Sequence, residues 1–136
     1  MAVRAVQQIM LGTVTANKAQ AAETLSAIKK AGYDGIELNG FMIRPTSLMV
    51  RTMTKLAGMP VGKQAGLCVV SVHEDLGTIQ RETDRVIEEA KDFGTKYVVV
   101  TGMYRFDYSD EKAVQKLAED LNHAGKQLRQ GGIALL

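Results

Sequence analysis

The chain has 136 residues, 46% of them hydrophobic and 24% charged, which suits one soluble globular domain with a core of its own. Its 17 basic and 15 acidic residues leave a formal charge of +2, too small and too evenly spread for a nucleic-acid surface. No stretch reaches the roughly 18 consecutive apolar residues of a membrane span and the N-terminus lacks a signal-peptide pattern, while a lone Cys68 excludes an internal disulfide, so the expectation is a cytoplasmic protein without membrane contact.

In chain order, the apolar run at 6–11 predicts a strand that leads into GTVTAN. Residues 18–31 predict a helix with Ala21, Leu25 and Ile28 on one face. Lys29 and Lys30 fall near its C-terminal end, where cations are favoured. Gly32 reads as its terminating turn, and GIELN at 35–39 as the second strand. TSLMVRTMTKLAG, residues 46–58, predicts a less regular helix after Pro45. Gly66 then precedes a strand at 67–73, LCVVSVH, inside which Cys68 is expected to be a buried small hydrophobe.

Residues 79–93 predict a helix striped by Ile79, Val86, Ala90 and Phe93, closed by Gly94. A strand follows at 96–101, then a helix at 110–130 with Val114, Leu117, Leu121 and Leu128 on its apolar face. Ser109 or Asp110 is its candidate N-cap. Gly131 would close that helix, and IALL begins a fifth strand.

The repeated sequence of helix, glycine and short apolar strand predicts an α/β fold with right-handed crossovers. YVVV shows no alternation, as expected of a parallel strand covered on both faces. Four βα units and the start of a fifth strand fit two architectures. One is an open, five-stranded flavodoxin-like sheet. The other is half of a (βα)8 barrel, which needs about 250 residues. The chain ends within the apolar run IALL rather than in the polar, frayed terminus that is usual, which favours a single truncated domain over 1–136.

Parallel α/β proteins place their chemistry beyond the C-terminal ends of the strands. Those ends here carry Glu37 and Asn39, then His73-Glu74-Asp75, then Thr101 to Arg105. Strict alternation puts Leu67, Val69, Ser71 and His73 on one face of the third strand. If the helices cover Ile36, Leu38, Cys68, Val70 and Val72, then Glu37, Ser71 and His73 point inward. Glu37 is costly to bury unpaired, so it is either functional or paired with a base. His73 is either a working group or a strand-end imidazole bonded to backbone. Glu74 and Asp75 read as caps for the following helix, Tyr104 and Arg105 as an anion clamp or a solvated loop, His123 as a surface residue, and the seven methionines as filler. There is no GxGxxG, P-loop, GxSxG or cysteine cluster. Glu37 and His73 alone do not make a metal site.

AIKKAGYDGIELNG, then AGLCVVSVHEDL, then AKDFGTKYVVVTG together resemble the sugar phosphate isomerase/epimerase family of xylose isomerase-like TIM barrels. The resemblance covers essentially the whole chain but only the first half of the family barrel. It implies a parallel (βα)4 half-barrel plus the start of a fifth strand, and proton transfer between adjacent carbons of a sugar through an enediolate. It also implies a divalent metal, Mn²⁺ or Mg²⁺, acting as Lewis acid, with a glutamate taking the proton. The family's metal ligands, two Glu, an Asp and a His, come from the fifth to eighth strands, so the expectation is that this chain does not encode them. By resemblance Glu37 and His73 are rim positions that bind a sugar or sugar phosphate; Ser71, Tyr104 and Arg105 join them as candidate contacts from the reading of the strand ends. Two other readings stay open. One is a non-enzymatic half-barrel that self-associates or pairs with a complementing half; the other is a flavodoxin-like domain that binds an anion near Arg105.

Overall fold

The computed structural model describes residues 2–15, 18–40 and 65–136. Strand β1 (Ala5–Gln7) runs into a 3-10 helix (Gln8–Thr15), followed by helix α1 (Lys18–Lys30) and strand β2 (Gly35–Asn39). Strand β3 (Cys68–His73), helices α2 (Leu76–Arg81) and α3 (Thr83–Asp92), strand β4 (Tyr97–Val99), helix α4 (Glu111–Gln130) and strand β5 (Ala134–Leu135) complete the chain. The helix expected at 46–58 lies outside the described residues. No helix among the described residues is long and apolar enough to cross a membrane.

All strand pairings are parallel, and the spatial order is β1-β2-β3-β4-β5. Each crossover therefore advances by one strand in the same direction, as in a barrel. The flavodoxin-like alternative needs the order to reverse, with β1 between β2 and β3, and the sheet rules it out. The fold is a parallel half-barrel of five strands.

Two apolar clusters fix the helices on one side of this sheet. In the first, Leu25 of α1 packs with Ile36, Leu38, Leu67, Val69 and Val72, with Ile28 and Phe93 against them. In the second, Leu76, Ile79, Val86 and Ala90 meet Val98, Ala124, Leu128 and Ile133. Of the stripe predicted for 79–93, Ile79, Val86 and Ala90 are buried here, on two helices rather than one, while Phe93 follows α3 and packs, partly buried, against the first cluster. Asp75 starts α2 early, because its carboxylate accepts from Thr78 N at 2.8 Å and from the Thr78 hydroxyl at 2.6 Å. The chain breaks at Glu82, whose φ of −134° and ψ of 37° are not helical. Helix α4 begins as read, with Asp110 accepting from Lys112 N and Ala113 N. Its stripe is Leu117, Leu121, Ala124 and Leu128, whereas Val114 is 39% exposed and packs outside both clusters. His123 is on the surface, as expected.

Two junctions differ from the sequence reading. The first strand is only three residues long, because Gln8 turns its side chain across to β2 and the backbone coils after it. At the end of α4 the left-handed residue is Gly132, with φ 81°, and not Gly131, with φ −86°. Gly131 is instead needed for close approach, since a Cβ there would meet the Ile87 side chain at 2.6 Å.

Below the opposite end of β1 and β2 sits a small clamp. Arg4 N donates to Asp34 Oδ2 at 2.9 Å, and Asp34 N and Gly35 N both donate to Arg4 O. The Arg4 backbone bond, helped by the charges of Arg4 and Lys29 against the cost of desolvation, holds the Asp34 carboxyl below its ordinary value of 3.8. A carboxylate with a lowered folded value adds stability above the unfolded value and loses it as pH falls through the folded one. Asp34→Asn should therefore be less stable than the parent at neutral pH and show a flatter acid-unfolding limb below pH 3.8. Circular dichroism against pH reads this directly, and an unchanged acid limb would count against the clamp.

Candidate functional site

The inward face of the sheet is set by an irregularity in β3. Ile36 pairs with Val69 and the next residue, Glu37, pairs with Ser71, so Val70 has no partner on β2. Such a bulge adds one residue and re-aims the side chains that follow it. Two features accommodate it. Thr95 is buried and its hydroxyl donates to Val70 O at 2.6 Å, satisfying the carbonyl the bulge leaves over. Gly35 leaves room on the inner face, since a Cβ there would meet Val70 Cγ2 at 2.6 Å and Cys68 Sγ at 3.0 Å.

Strict alternation therefore fails for β3. Leu67 and Val69, expected on the face of Ser71 and His73, lie in the helix-side cluster with Val72. Cys68, expected there as a buried hydrophobe, is exposed on the inner face. The parity changes at Val70, and Ser71 and His73 still face Glu37, for a different reason from the one the spacing suggested.

Glu37, Ser71 and His73 form one hydrogen-bonded cluster at the C-terminal ends of β2 and β3. The Ser71 hydroxyl donates to Glu37 Oε1 at 3.2 Å, and His73 Nε2 lies 3.1 Å from Glu37 Oε2. The Glu37 side chain is 31% exposed and that of His73 only 9%. Of the three, Glu37 is the one open to a ligand, and each of its oxygens keeps acceptor capacity beyond the bond already made. The nearby Glu74 is also buried. Its carboxylate accepts from Asp75 N at 3.0 Å and packs over Gly40, where there is no Cβ to exclude it. Capping of α2 thus falls to Asp75, while Glu74 turns inward.

Tyr104 and Arg105 are not part of this cluster. They lie in the loop after β4, where Arg105 has a left-handed φ of 56° and its guanidinium sits 5.1 Å from the centre of the Tyr104 ring. Tyr104 is 87% exposed. Two glutamines were missed. Gln7 Nε2 lies 3.4 Å from His73 Nδ1, and the buried Gln8 accepts from Asn39 N at 3.0 Å through Oε1. The signal for them was the pair of adjacent amides that interrupts the first apolar run at 6–11.

A divalent cation needs three or more protein donors at one point. Among the described residues no group of three His, Cys, Asp or Glu could hold one. Glu37 and His73 are instead bonded to each other. The described donor set does not fit a metal.

The sequence matches no family model and no curated protein. Its fold is similar to solved structures of about twice its length. A sugar phosphate isomerase/epimerase from Parabacteroides distasonis superposes with a TM-score of 0.72 at 18% identity, over 97% of this chain and 49% of that one. A xylose isomerase-like TIM barrel protein from Mycobacterium smegmatis, in complex with magnesium, gives 0.61 at 20% identity, over 98% and 53%. A xylose isomerase domain-containing protein from Salmonella typhimurium gives 0.66 at 10% identity, over 99% and 50%. The chain spans about half the length of these barrels, and the likeness shows the fold.

The cluster makes a prediction for stability. Glu37→Ala removes the acceptor of both the buried Ser71 hydroxyl and the His73 Nε2 group, and should cost about 1–3 kcal/mol in urea unfolding. Glu37→Gln keeps one acceptor oxygen and should cost less than the alanine variant. Equal stability of all three proteins would mean the cluster is not formed.

Proposed function

We propose that this chain is the substrate-side half of a sugar phosphate isomerase/epimerase barrel, a class that moves a proton between adjacent carbons of a sugar or sugar phosphate. The observation that carries the reading is the convergence of Glu37, Ser71 and His73 at the C-terminal rim of β2 and β3, on the inner face of a sheet with the strand order of a barrel. That rim is where barrels of every chemistry bind substrate.

The chemistry follows from what each group has left to offer. Ser71 and His73 occupy one site on each oxygen of Glu37 and fix the plane of the carboxylate. The Glu37 side chain is 31% exposed, and its remaining acceptor capacity suits a pair of vicinal hydroxyls. Fixing an acceptor before the ligand arrives reduces the ordering cost of binding. A phosphate would be repelled by this carboxylate, so the hydroxyl end of the substrate lies here. The phosphate is placed toward the loop after β4, where Arg105 and Tyr104 provide a cation and a phenol. The magnesium in the mycobacterial barrel supports a metal in the complete enzyme. No step is assigned to a metal here, because the described residues do not hold one, and the chain by itself is proposed to be inactive.

A second reading concerns the partner. The inner face exposes Cys68 and Tyr97, and a groove of about 560 Å³ between α4 and the β5 edge is lined by Val100, Leu117, Leu121, Leu135 and the exposed Leu136. Exposed strand edges and apolar faces favour pairing. A further βα half, from a second copy or a complementing chain, would cover both.

Titration calorimetry with a ketose and its phosphate tests the first reading. Weak, saturable binding should fall at least about tenfold in Glu37→Gln, and indifference to Glu37→Gln would sink it. Mn²⁺ titrated alone should show no stoichiometric binding. Analytical ultracentrifugation tests the second reading: self-association is expected, and a monomer that persists at high concentration refutes pairing of two copies.

A further inference from the structure

The cluster around Glu37 is bonded to a residue of β1 that the proposed function does not use. Gln7 is the last residue of that strand and stands in register with Glu37. Its Nε2 lies 3.4 Å from His73 Nδ1, while Glu37 Oε2 lies 3.1 Å from the other ring nitrogen. A carboxamide nitrogen only donates, so Nδ1 accepts and the ring proton sits on Nε2, pointing at the carboxylate. The opposite arrangement is unfavourable, because a proton on Nδ1 would turn the lone pair of Nε2 toward Glu37, acceptor against acceptor.

The strand end that carries Gln7 is itself held in place. The next residue, Gln8, is buried and accepts from the backbone N–H of Asn39, the residue in register with His73. One glutamine therefore fixes the strand end and the other reaches the ring.

We propose that Gln7 is a positioning residue which, by donating to Nδ1, holds His73 as the neutral Nε2–H tautomer aimed at Glu37, so that Glu37 and not His73 meets the ligand. Only the last clause rests on the sugar-binding reading. His73 has both nitrogens occupied and a side chain 9% exposed, so it acts through the carboxylate. A neutral amide suits this role because it fixes the ring without adding charge beside Glu37.

The test is the ring nitrogen spectrum of ¹⁵N-labelled protein at neutral pH. The chain has two histidines, and His123→Gln on the surface of α4 leaves His73 as the single ring signal. The parent should show a protonated Nε2 and an unprotonated, hydrogen-bonded Nδ1. Gln7→Leu should speed solvent exchange of the Nε2 proton at least tenfold. Gln7→Glu presents only acceptors and should move Nδ1 to the protonated type, a change that lost packing would not produce. A parent ring protonated on Nδ1, or a Gln7→Glu spectrum like that of the parent, overturns the proposal. If Gln7→Leu fails to fold, the parent and Gln7→Glu spectra still decide it. These ring signatures together with no ketose binding by the parent would support the tautomer assignment while removing the sugar reading.

Discussion

A β-strand has two faces, and β3 must serve both with a sequence that does not alternate. The helices require apolar side chains along one side of this strand, and the rim requires polar ones on the other. Leu67, Val69 and Val72 cannot all lie on one side of a regular strand, because 69 and 72 differ by an odd number. The unpaired Val70 resolves the conflict by changing the parity between them. Thr95 takes up the carbonyl that the bulge leaves without a partner, and Gly35 leaves space for the side chain. The first apolar cluster and the polar cluster at the rim both depend on that one extra residue.

The consequences run outward through the sheet. With Ser71 and His73 turned inward, Glu37 has a partner for each oxygen and remains accessible despite the apolar residues on either side of it. An isolated carboxylate in such a strand would be costly; here its neighbours on β3 and, through His73, on β1 offset that cost. The polar string Gln7, His73, Glu37 and Ser71 thus ties three strands together at the end where a barrel binds its ligands. At the other end the same strands are held by Arg4 and Asp34. The rim carries the polar string, whereas the inner face away from it exposes Cys68 and Tyr97.

The two sides of the sheet also differ in how completely they are covered. Helices α1 to α4 bury the outer side in two clusters. The inner side keeps Cys68 and Tyr97 in contact with solvent. In the longer barrels that share this fold, the space inside such a sheet is filled by side chains from the remaining strands.

Much of this was legible in the order of the residues. The helix–glycine–strand repeat, the stripe Ile79, Val86, Ala90 and the cap at Asp110 are local features, decided by helical period and by hydrogen bonds within a few residues, and they indicated a parallel α/β fold with Glu37, Ser71 and His73 near its strand ends. Strand order was not legible, because a five-stranded open sheet and a barrel segment use the same local elements; the pairings alone separated them. The bulge was hidden as well, since a run of apolar residues reads the same in either parity. That is why Cys68 was assigned to the wrong face. The roles of Gln7, Gln8 and Thr95 depend on bonds to residues 25 to 66 positions away. Composition and periodicity determined which elements form and which polar residues stand at strand ends. Only the tertiary structure decided which way those residues point and what holds them, because that is set by register between strands distant in sequence.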